Sequence, residues 1–518
     1  MNREALLDQA SDGREFDLIV VGGGATGLGV AVESSSRGYE TLLLEQADFA
    51  QGTSSRSTKL VHGGVRYLKQ GNISLVLEAL HERGLLIRNA PHLVHHLGFV
   101  VPLYDWWEGP FYGIGLKVYD MMAGRLGLGP SETLTPEETL AHIPTIEPEG
   151  LRGGVIYYDG QFDDSRLAVT LARTAHDQGA MPLNHVAVGG IEHEAGLARA
   201  VIATDRLSGR TLRFRGRVIV NATGVFTDSI RALDTPSARP IIRASQGVHI
   251  VLDRSFLPGD SAIMVPETDD GRVLFAVPWH DRVIVGTTDT AVPEAALEPR
   301  PLDEEIEFLL THAVRYLTKD PTPRDVLSCF AGLRPLVSEG GDEDTAAISR
   351  DHTVIVSATG LVTIAGGKWT TYRKMGEDCV SQAALVAGLE SRSSVTDEMR
   401  LHGWSDQLDP SDPQSVYGTD IEGMRALIAA RPQLGELLHP SLPYKRCEVV
   451  WAARHEMARR VEDVLSRRTR ALILDAKASM EAAPEVARLM AEELDRSEDW
   501  VRAEVESYQA LAGTYLLS

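Results

Sequence analysis

The chain of 518 residues is 43% hydrophobic and 24% charged, with 47 glycines and 25 prolines, a globular composition that excludes a disordered, collagen-like or coiled-coil protein. The length is about three domain-equivalents and allows a large buried core. The formal net charge of −22 argues against nucleic acid as a partner, because a polyphosphate backbone would be repelled.

The cysteines and the lengths of the apolar runs indicate the redox compartment of the chain and its relation to a membrane. Cys329, Cys379 and Cys447 lie far apart, which predicts reduced thiols, no disulfide framework and no cysteine metal site. Residues 1–15 lack the apolar stretch of a signal peptide, and the sequence has no run of 18 apolar residues. We therefore expect a chain that is soluble or lies on a membrane surface.

A strand–helix–strand unit opens the pattern. Residues 16–21 (FDLIVV) predict a strand buried on both faces, as is typical of parallel sheets. Residues 25–37 alternate small and apolar side chains like a packed helix, Gly38 is a plausible stop, and residues 41–44 predict the second strand.

The loop between the first strand and the helix carries a glycine fingerprint. Gly22 permits a tight turn, Gly24 lets the backbone approach a pyrophosphate, and Gly27 lets the helix pack closely on the strand. Glu45 follows the second strand, where a carboxylate accepts hydrogen bonds from an adenosine ribose. The unit predicts dinucleotide binding, but it does not distinguish NAD from FAD.

Residues 51–68 (QGTSSRSTKLVHGGVRYL) concentrate hydroxyls, basic side chains and two adjacent glycines. Hydroxyls and backbone N–H groups at this density suit a pyrophosphate and a flavin ring lying across the chain. The alternative is a Ser/Thr-rich surface loop.

Later segments continue the first sheet and then depart from it. Residues 218–224 (VIVNATG) and 362–367 (VTIAGG) each end an apolar run at a small-residue turn, which predicts strands that return to the first sheet. Residues 240–335 alternate like an inserted antiparallel sheet, and from Asp397 onward the pattern is helical.

Four basic residues stand in tight, apolar settings: Arg66, Arg334, Arg350 and Lys368. Charge in such a setting is costly unless it is paired or bound to an anion. Each residue alone is compatible with a structural ion pair, but together they indicate an anionic substrate, and a phosphate would suit a planar guanidinium and a compact ammonium.

His249 lies in a strand-like run and has two interpretations, a satisfied core residue or a general base. Arg334 could polarise a developing oxyanion but cannot readily be the base, because guanidinium stays charged. The motifs of zinc metalloproteases, hydrolase elbows and P-loops do not occur, and we expect no metal.

Taken together, the chain resembles the family of FAD-dependent glycerol-3-phosphate dehydrogenases of the aerobic, bacterial type. The resemblance is carried in order by DLIVVGGGATGLGVA, LLLEQADFAQGTSSRSTKLVHGGVRYL, VIVNATG, SQGVHIVL, VPWHDRVIVGTTDT, CFAGLRPL, AISRDHT, AGGKWTTYRKMGEDCV and RHEMARRVEDVLSRRTRALILDA. It implies FAD as cofactor, oxidation of sn-glycerol 3-phosphate to dihydroxyacetone phosphate, and transfer of electrons to a membrane quinone.

The implied fold is α/β: a glutathione-reductase-like FAD-binding Rossmann domain, an inserted antiparallel-sheet substrate domain and a C-terminal helical domain. We place the domains at residues 1–80, 150–240 and 340–390 for FAD binding, 81–149 and 241–339 for the substrate or cap domain, and 397–518 for the helical domain.

The resemblance also assigns residues. His249 and Arg334 would be catalytic, and Arg66, Tyr67, Arg350 and Lys368 would bind the substrate. The residues assigned to FAD are Gly22, Gly24, Ala25, Thr26, Gly27, Glu45, Thr53, Ser54, Ser55, Ser57, Lys59, His62, Gly63, Gly64, Ala222, Thr223, Gly224, Gly367, Lys368 and Thr370.

Three alternatives stay open at this point: a glycerol-3-phosphate oxidase that uses oxygen, an amine oxidase of the same fold, and a non-catalytic flavoprotein sensor or scaffold. The expected assembly is a homodimer, cytoplasmic and peripherally attached to the cytoplasmic membrane.

One segment is a candidate for that attachment. Residues 454–477 contain seven Lys or Arg and four Asp or Glu, a local charge of 7 − 4 = +3. Apolar residues alternate with the cations at helical spacing, so the segment is either a solvated helix face or a docking surface for anionic headgroups. The need to reach a lipid-soluble acceptor favours the docking surface.

Overall fold

The computed structural model describes residues 1–64, 72–105, 108–123, 127–266, 268, 272–338 and 351–517. The described strands are β1 (Glu15–Val21), β2 (Thr41–Leu44), β3 (Leu60–Val61), β4 (Val94–Leu103), β5 (Glu132–Leu134), β6 (Gly153–Phe162), β7 (Met181–Leu183), β8 (Val186–Glu194), β9 (Leu197–Asp205), β10 (Thr211–Asn221), β11 (Ile242–Asp253), β12 (Ser261–Val265), β13 (Leu274–Trp279), β14 (Arg282–Gly286), β15 (Thr290–Val292), β16 (Val326–Val337), β17 (His352–Val356) and β18 (Val362–Gly366).

The described helices alternate with these strands and then dominate the C-terminal part. They are Arg3–Ala10, Ala25–Ser36, Ile73–Asn89, Glu108–Ala123, Pro136–His142, Asp164–Asp177, Thr227–Asp234, Asp303–Tyr316, Tyr372–Ala387, Ile421–Ala430, Arg446–His455, Ala471–Leu474, Ala476–Leu494 and Glu498–Gly513.

The first sheet is the predicted dinucleotide sheet. Its order is β17-β18-β10-β1-β2-β7, and the neighbours from β18 to β7 run parallel while β17 is antiparallel. Strands β1 and β2 are buried almost throughout, as the continuous apolar runs predict. The return of β10 and β18 to this sheet is confirmed.

The second sheet contains the inserted strands. Its order is β15-β11-β14-β13-β12-β4-β6-β3, with β16 on β11 and β5 on β6. The pairs are antiparallel except β4 with β12. One face packs on the helix Asp303–Tyr316 through Leu309, and the other lies below the helices Ile73–Asn89 and Glu108–Ala123.

The second sheet takes two strands that the predicted boundaries assign to the FAD-binding domain. Strand β6 pairs along its whole length with β4, and β3 pairs with β6. The alternation of β6 is too weak to show from sequence which sheet it joins, because pairing partners are chosen by tertiary contacts. The domain division as a whole stays a prediction.

The C-terminal helices share the core of the first sheet. Met457, Val461 and Leu465 are fully buried in the same apolar cluster as Leu18 and Leu43. The predicted helical texture after residue 397 is therefore correct, but these helices are built onto the dinucleotide sheet through a common core.

Candidate active site

The glycine fingerprint has the expected geometry. Gly22 has φ +109°, which disfavours any side chain, and a Cβ on Gly27 would lie 1.9 Å from the carbonyl oxygen of Gly22. Gly24 caps the helix Ala25–Ser36 without a side-chain hydrogen bond. The first turn of that helix therefore presents backbone N–H groups to an anion.

Glu45, directly after β2, binds the backbone of the glycine loop that follows β1. Its carboxylate accepts hydrogen bonds from the N–H of Gly23 at 2.6 Å and of Ala47 at 2.9 Å. Burial raises the pKa of Glu45, although these two bonds oppose the shift. A carboxylate has lone pairs left for a ribose after accepting two bonds.

A cavity of about 460 Å³ lies at the carboxyl ends of β1, β2, β10 and β18. This is the edge where doubly wound sheets bind dinucleotides. The predicted cofactor residues that line it are Gly22, Gly24, Ala25, Thr26, Glu45, Thr53, Ser54, Ala222, Thr223, Gly224, Gly367 and Lys368.

A second cavity of about 230 Å³ adjoins the first and shares Thr53, Gly367 and Lys368 with it. Its lining includes His249, Arg334 and Lys368, predicted for catalysis and substrate binding, together with three residues predicted for the cofactor, Ser57, His62 and Thr370. A third space of about 170 Å³ continues past His62, Gly64 and Arg334 toward apolar residues such as Phe99 and Phe275.

His249 sits in the wall of the second cavity on β11. Its ring stacks on Phe330 with centroids 4.8 Å apart, and its Nε2 lies 3.0 Å from the hydroxyl oxygen of Thr58. Gly286, directly opposite on β14, leaves room for the ring, since a Cβ there would lie 2.2 Å from it.

Burial, Arg334 and Lys59 together hold the pKa of His249 well below its ordinary value of 6.5. The imidazole is therefore neutral at physiological pH and can accept a proton. This geometry fits the general-base interpretation and shows that the residue is also buried, so the two sequence interpretations are not exclusive.

Arg334 lies on β16 beside His249. It donates hydrogen bonds to the hydroxyl of Thr287 at 2.9 Å and the carbonyl of Thr288 at 3.1 Å, and its guanidinium lies 3.5 Å from a carboxylate oxygen of Asp289. These bonds fix the direction of the guanidinium, which still lines the cavity.

Four predicted cofactor residues, Gly27, Ser55, Lys59 and Gly63, line none of these cavities and make contacts within the protein. The ammonium of Lys59 is fully buried and donates to both carboxylate oxygens of Asp164 at 2.8 Å and to the carbonyl of Ser55. The N–H of Gly63 donates to the hydroxyl of Tyr119. Gly27 packs on Gly22. A buried ammonium needs such a partner, and Asp164 lies too far along the chain for the sequence to show it.

Ser57 combines both roles, because it lines the second cavity while its hydroxyl donates to Asp164 at 2.8 Å. Thr58, between Ser57 and Lys59, was not singled out from the sequence. No local signal marks it, since its partner His249 is 191 positions away.

The predicted substrate residues Arg66, Tyr67 and Arg350 lie outside the described residues.

The candidate docking segment of residues 454–477 is only partly at the surface, because Arg454, Arg460 and Lys477 are exposed and its other four cations are buried. The guanidinium groups of Arg467, Arg468 and Arg470 are buried and pair with Asp48 and Asp163. The apolar residues between the cations point into the core. Four of the seven cations are therefore held inside the fold, while two of the three exposed ones, Arg454 and Arg460, pair with Glu493 and Glu504. Binding of this segment to headgroups stays a prediction that rests on the exposed cations alone. Of the helices in the described ranges, none has the length and apolarity to cross a bilayer.

Comparisons with known proteins agree with this architecture. Residues 17–373 match the family described as FAD dependent oxidoreductase, and residues 360–501 match the C-terminal domain of alpha-glycerophosphate oxidase. The chain is 40% identical over 536 residues to the probable mitochondrial glycerol-3-phosphate dehydrogenase of Caenorhabditis elegans, covering 97% of this chain and 74% of that protein. It is 40% identical over 542 residues to the mitochondrial glycerol-3-phosphate dehydrogenase of Mus musculus, covering 98% and 74%.

Among solved structures, the glycerol-3-phosphate dehydrogenase of Bacillus halodurans complexed with FAD superposes with a TM-score of 0.81 at 28% identity. The superposition covers 99% of this chain and 98% of that chain. The predicted α/β fold class is confirmed.

Proposed function

Because this chain belongs to the family of FAD-dependent glycerol-3-phosphate dehydrogenases, we propose that its two adjoining cavities hold the flavin and sn-glycerol 3-phosphate side by side. The enzyme oxidises sn-glycerol 3-phosphate to dihydroxyacetone phosphate. This placement of flavin and substrate rests on one observation: the two cavities share a wall, because Gly367 and Lys368 line both the 460 Å³ and the 230 Å³ cavity.

The larger cavity fits FAD by its chemistry. It combines the N-terminus of the helix Ala25–Ser36 for a pyrophosphate with the Glu45 carboxylate for a ribose. FAD supplies the acceptor for the hydride that leaves C2 of the substrate.

The protein residues handle the proton and the charge. Neutral His249 is the proton acceptor: the C2 hydroxyl displaces the Thr58 hydroxyl from Nε2 at the cavity wall and transfers its proton there. Arg334, fixed by Thr287 and Thr288, stabilises the oxygen as negative charge develops on it. Lys368 binds the substrate phosphate as a compact cation.

Anaerobic mixing tests the reaction and the substrate class together. Addition of glycerol 3-phosphate to the purified flavoprotein should bleach the flavin absorption within the dead time of manual mixing, whereas glycerol at the same concentration should not. A flavin that stays oxidised with glycerol 3-phosphate would contradict the assignment and revive the sensor interpretation.

For the acceptor, we favour a membrane quinone over oxygen, because the curated relatives are named dehydrogenases. The match to an alpha-glycerophosphate oxidase C-terminal domain keeps the oxidase as the second candidate. Steady-state assays with a soluble quinone analogue and with oxygen distinguish them. Fast quinone reduction with little peroxide supports the proposal, and peroxide in stoichiometric amounts overturns it.

Peripheral attachment to a membrane is supported by a surface other than the predicted one. Ile73 and Leu77 lie on one face of the helix Ile73–Asn89, and Val118 and Met121 on one face of the contacting helix Glu108–Ala123; all four are exposed. The contact between the two helices supports a single surface for these four side chains, and clustered exposed apolar side chains are typical of interaction sites. Both helices cover the sheet face next to the third cavity.

The occupant we assign to this four-residue patch is the anionic lipid surface that carries the quinone. Substitution of Leu77 and Met121 by Glu should abolish co-sedimentation with anionic liposomes. Leu385→Glu is the matched control, because Leu385 is about as exposed as Met121 but lies on the helix Tyr372–Ala387. Unchanged co-sedimentation of the Leu77/Met121 variant would remove the patch from the proposal. Homodimerisation and the cytoplasmic location stay predictions, the first testable by sedimentation velocity.

A further inference from the structure

The C-terminal helices, with the segments that join and follow them, contact two stretches of the chain that line the large cavity. The first is a loop after β2, in which Glu45, Gln46 and residues 50–52 line the cavity. The second is the segment around Leu297, which lines the same cavity. In both places a side chain from beyond residue 460 makes the contact.

At the first place, Asp48 is the anchor. Its buried carboxylate accepts hydrogen bonds from Nε of Arg467 at 2.6 Å, from the guanidinium of Arg468 at 2.9 Å, and from the amide of Asn184 at 3.0 Å. The carbonyl of Asp48 accepts from the N–H of Gln51, which lines the cavity. The position of Asp48 therefore sets the position of the loop.

The same loop is tied to the glycine fingerprint. The N–H of Ala50 donates to the carbonyl of Gly23 at 3.0 Å, and the N–H of Gly23 donates to Glu45 at 2.6 Å. A shift of the loop would move the groups that line the pyrophosphate and ribose ends of the cavity.

The carboxylates of Asp48 and Asp463 lie close to His185, a grouping that by residue type resembles a metal site. Arg467 and Arg468 occupy the position of the cation, because Arg467 pairs with both carboxylates and Arg468 with Asp48. This cluster is an ion-pair network that joins the C-terminal helices to the loop.

At the second place, the contact runs through Tyr515. Its hydroxyl donates to a carboxylate oxygen of Glu298 at 3.1 Å, and the other oxygen of Glu298 pairs with Arg56. Arg56 also donates to the carbonyl of Leu297 at 3.0 Å. The backbone carbonyl of Tyr515 is held by the N–H of Cys329 on β16 at 2.8 Å, so the tyrosine is fixed against the second sheet.

We propose that the C-terminal helices are a brace for the flavin: Arg467 and Arg468 on Asp48, and Tyr515 on Glu298, hold two walls of the cavity in the shape that binds FAD. These are positioning residues, because they act through Asp48 and Glu298. The proposal rests on the placement of FAD in this cavity. Since coupling between two sites is reciprocal, FAD must in turn stabilise the docking of the C-terminal helices.

The test uses the full chain, stripped of flavin and titrated with FAD. Tyr515→Phe removes one hydroxyl, and Arg468→Met removes one guanidinium while Arg467 stays on Asp48. Each variant should raise the dissociation constant of FAD about tenfold, within the range of ordinary coupling between sites. FAD should also raise the melting temperature less than in the parent protein. Arg468→Lys should recover part of the affinity.

Two controls separate the possible failures. Arg454→Met removes a C-terminal arginine that pairs with Glu493 at the surface, and it should leave FAD affinity unchanged. Gly24→Val places a side chain against Ser54 in the cavity and should abolish FAD binding. If Gly24→Val binds FAD normally, the placement of the flavin is wrong.

If Gly24→Val does not bind FAD, but Tyr515→Phe and Arg468→Met both bind it with a dissociation constant within twofold of the parent protein, the proposed brace is wrong. The placement of FAD in the large cavity then stands. If Arg468→Met does not fold, Tyr515→Phe decides the question, because its loss of one hydroxyl leaves the melting temperature of the flavin-free chain near that of the parent.

Discussion

The hydroxyl oxygen of Thr58 lies 3.0 Å from Nε2 of His249, across the wall of the cavity that we assign to the substrate. The residues on either side of Thr58 are held by a single carboxylate, since Asp164 accepts from the hydroxyl of Ser57 and from the ammonium of Lys59. Thr58 is thus presented to the histidine by a rigid three-residue segment, which orients the ring before the substrate arrives.

Thr58→Val keeps the shape of the side chain and removes this hydrogen bond. We expect kcat to fall roughly fivefold, since a hydrogen bond contributes about 1 kcal/mol and about 1.4 kcal/mol is tenfold in rate. KM for glycerol 3-phosphate and the affinity for FAD should change little. Thr58→Ser is the control and should restore kcat. An equal loss in both variants would assign Thr58 to packing alone.

His249→Ala should lower kcat by about 10²–10⁴-fold if the residue is the base. The low pKa of His249, caused by burial, Arg334 and Lys59, also predicts the pH profile. The neutral base is present above its pKa, so kcat/KM should stay level as the pH falls to 6.5 and drop only in more acidic solution. A near-normal kcat of the variant across pH would leave His249 a core residue.

Lys368→Ala should raise KM for glycerol 3-phosphate about 30-fold, because a hydrogen bond between charged groups contributes roughly 2 kcal/mol. Turnover of unphosphorylated glycerol should be affected much less. Lys374→Ala is a matched control, since Lys374 pairs with Glu377 and Asp378 on the helix Tyr372–Ala387. Equal losses for both substrates would indicate a structural role for Lys368.

Asp164→Ala should destabilise the protein by about 3–5 kcal/mol, because it leaves the ammonium of Lys59 buried without its carboxylate. Chemical unfolding of the flavin-free chain measures the effect. Replacement of both residues, Lys59→Met with Asp164→Leu, should recover much of the stability. Lys59→Met alone would lower FAD affinity at unchanged stability if the lysine contacted the cofactor, and that outcome would contradict the structural assignment.

The buried carboxyl of Glu448 makes the stability of the fold depend on pH, in a direction that follows from its pKa. Burial raises the pKa of this carboxyl from 4.5 to about 7, despite hydrogen bonds from the N–H of Lys445 and the hydroxyl of Tyr417. Because the folded-state value is the higher one, the contribution to stability is complete below pH 4.5 and is lost as the pH rises through about 7.

Glu448→Gln should therefore remove this part of the pH dependence, and above pH 7 the variant should be more stable than the parent by up to about 3 kcal/mol. Urea unfolding of both proteins at pH 5 and pH 8 gives the comparison. A difference in stability that does not vary between these pH values would show that the carboxyl is ionised throughout.

The parts of the fold that the sequence predicts well are those specified locally. The first strand, the glycine loop and the helix that follows are adjacent in the chain, and each glycine has a distinct steric reason that can be stated before the structure is known. The residues at the ends of β10 and β18 were likewise recognisable, because a strand that ends in small residues marks the binding edge of a parallel sheet.

The errors concern charges whose partners are distant in sequence. Lys59 has the loop environment of a ligand-binding residue, and only Asp164, 105 positions later, shows that it is structural. The buried cations within residues 454–477 also have partners that are distant in sequence, since Arg468 and Asp48 are 420 positions apart. Charge patterning along a helix cannot distinguish a solvated face from a buried ion-pair network without these partners.

The separation of Asp48 and Arg468 by 420 positions also determines the order in which parts of the flavin cavity can form during synthesis. Strands β1 and β2 emerge from the ribosome early, but β10, the other neighbour of β1, is complete only at residue 221, and β18, which pairs with β10, only at residue 366. Contacts of such long range are costly in loop-closure entropy and form late. The nascent chain therefore cannot fix the Asp48 loop of the flavin cavity until residues 467 and 468 have been made, so a ribosome stalled before them would carry a chain that captures FAD poorly.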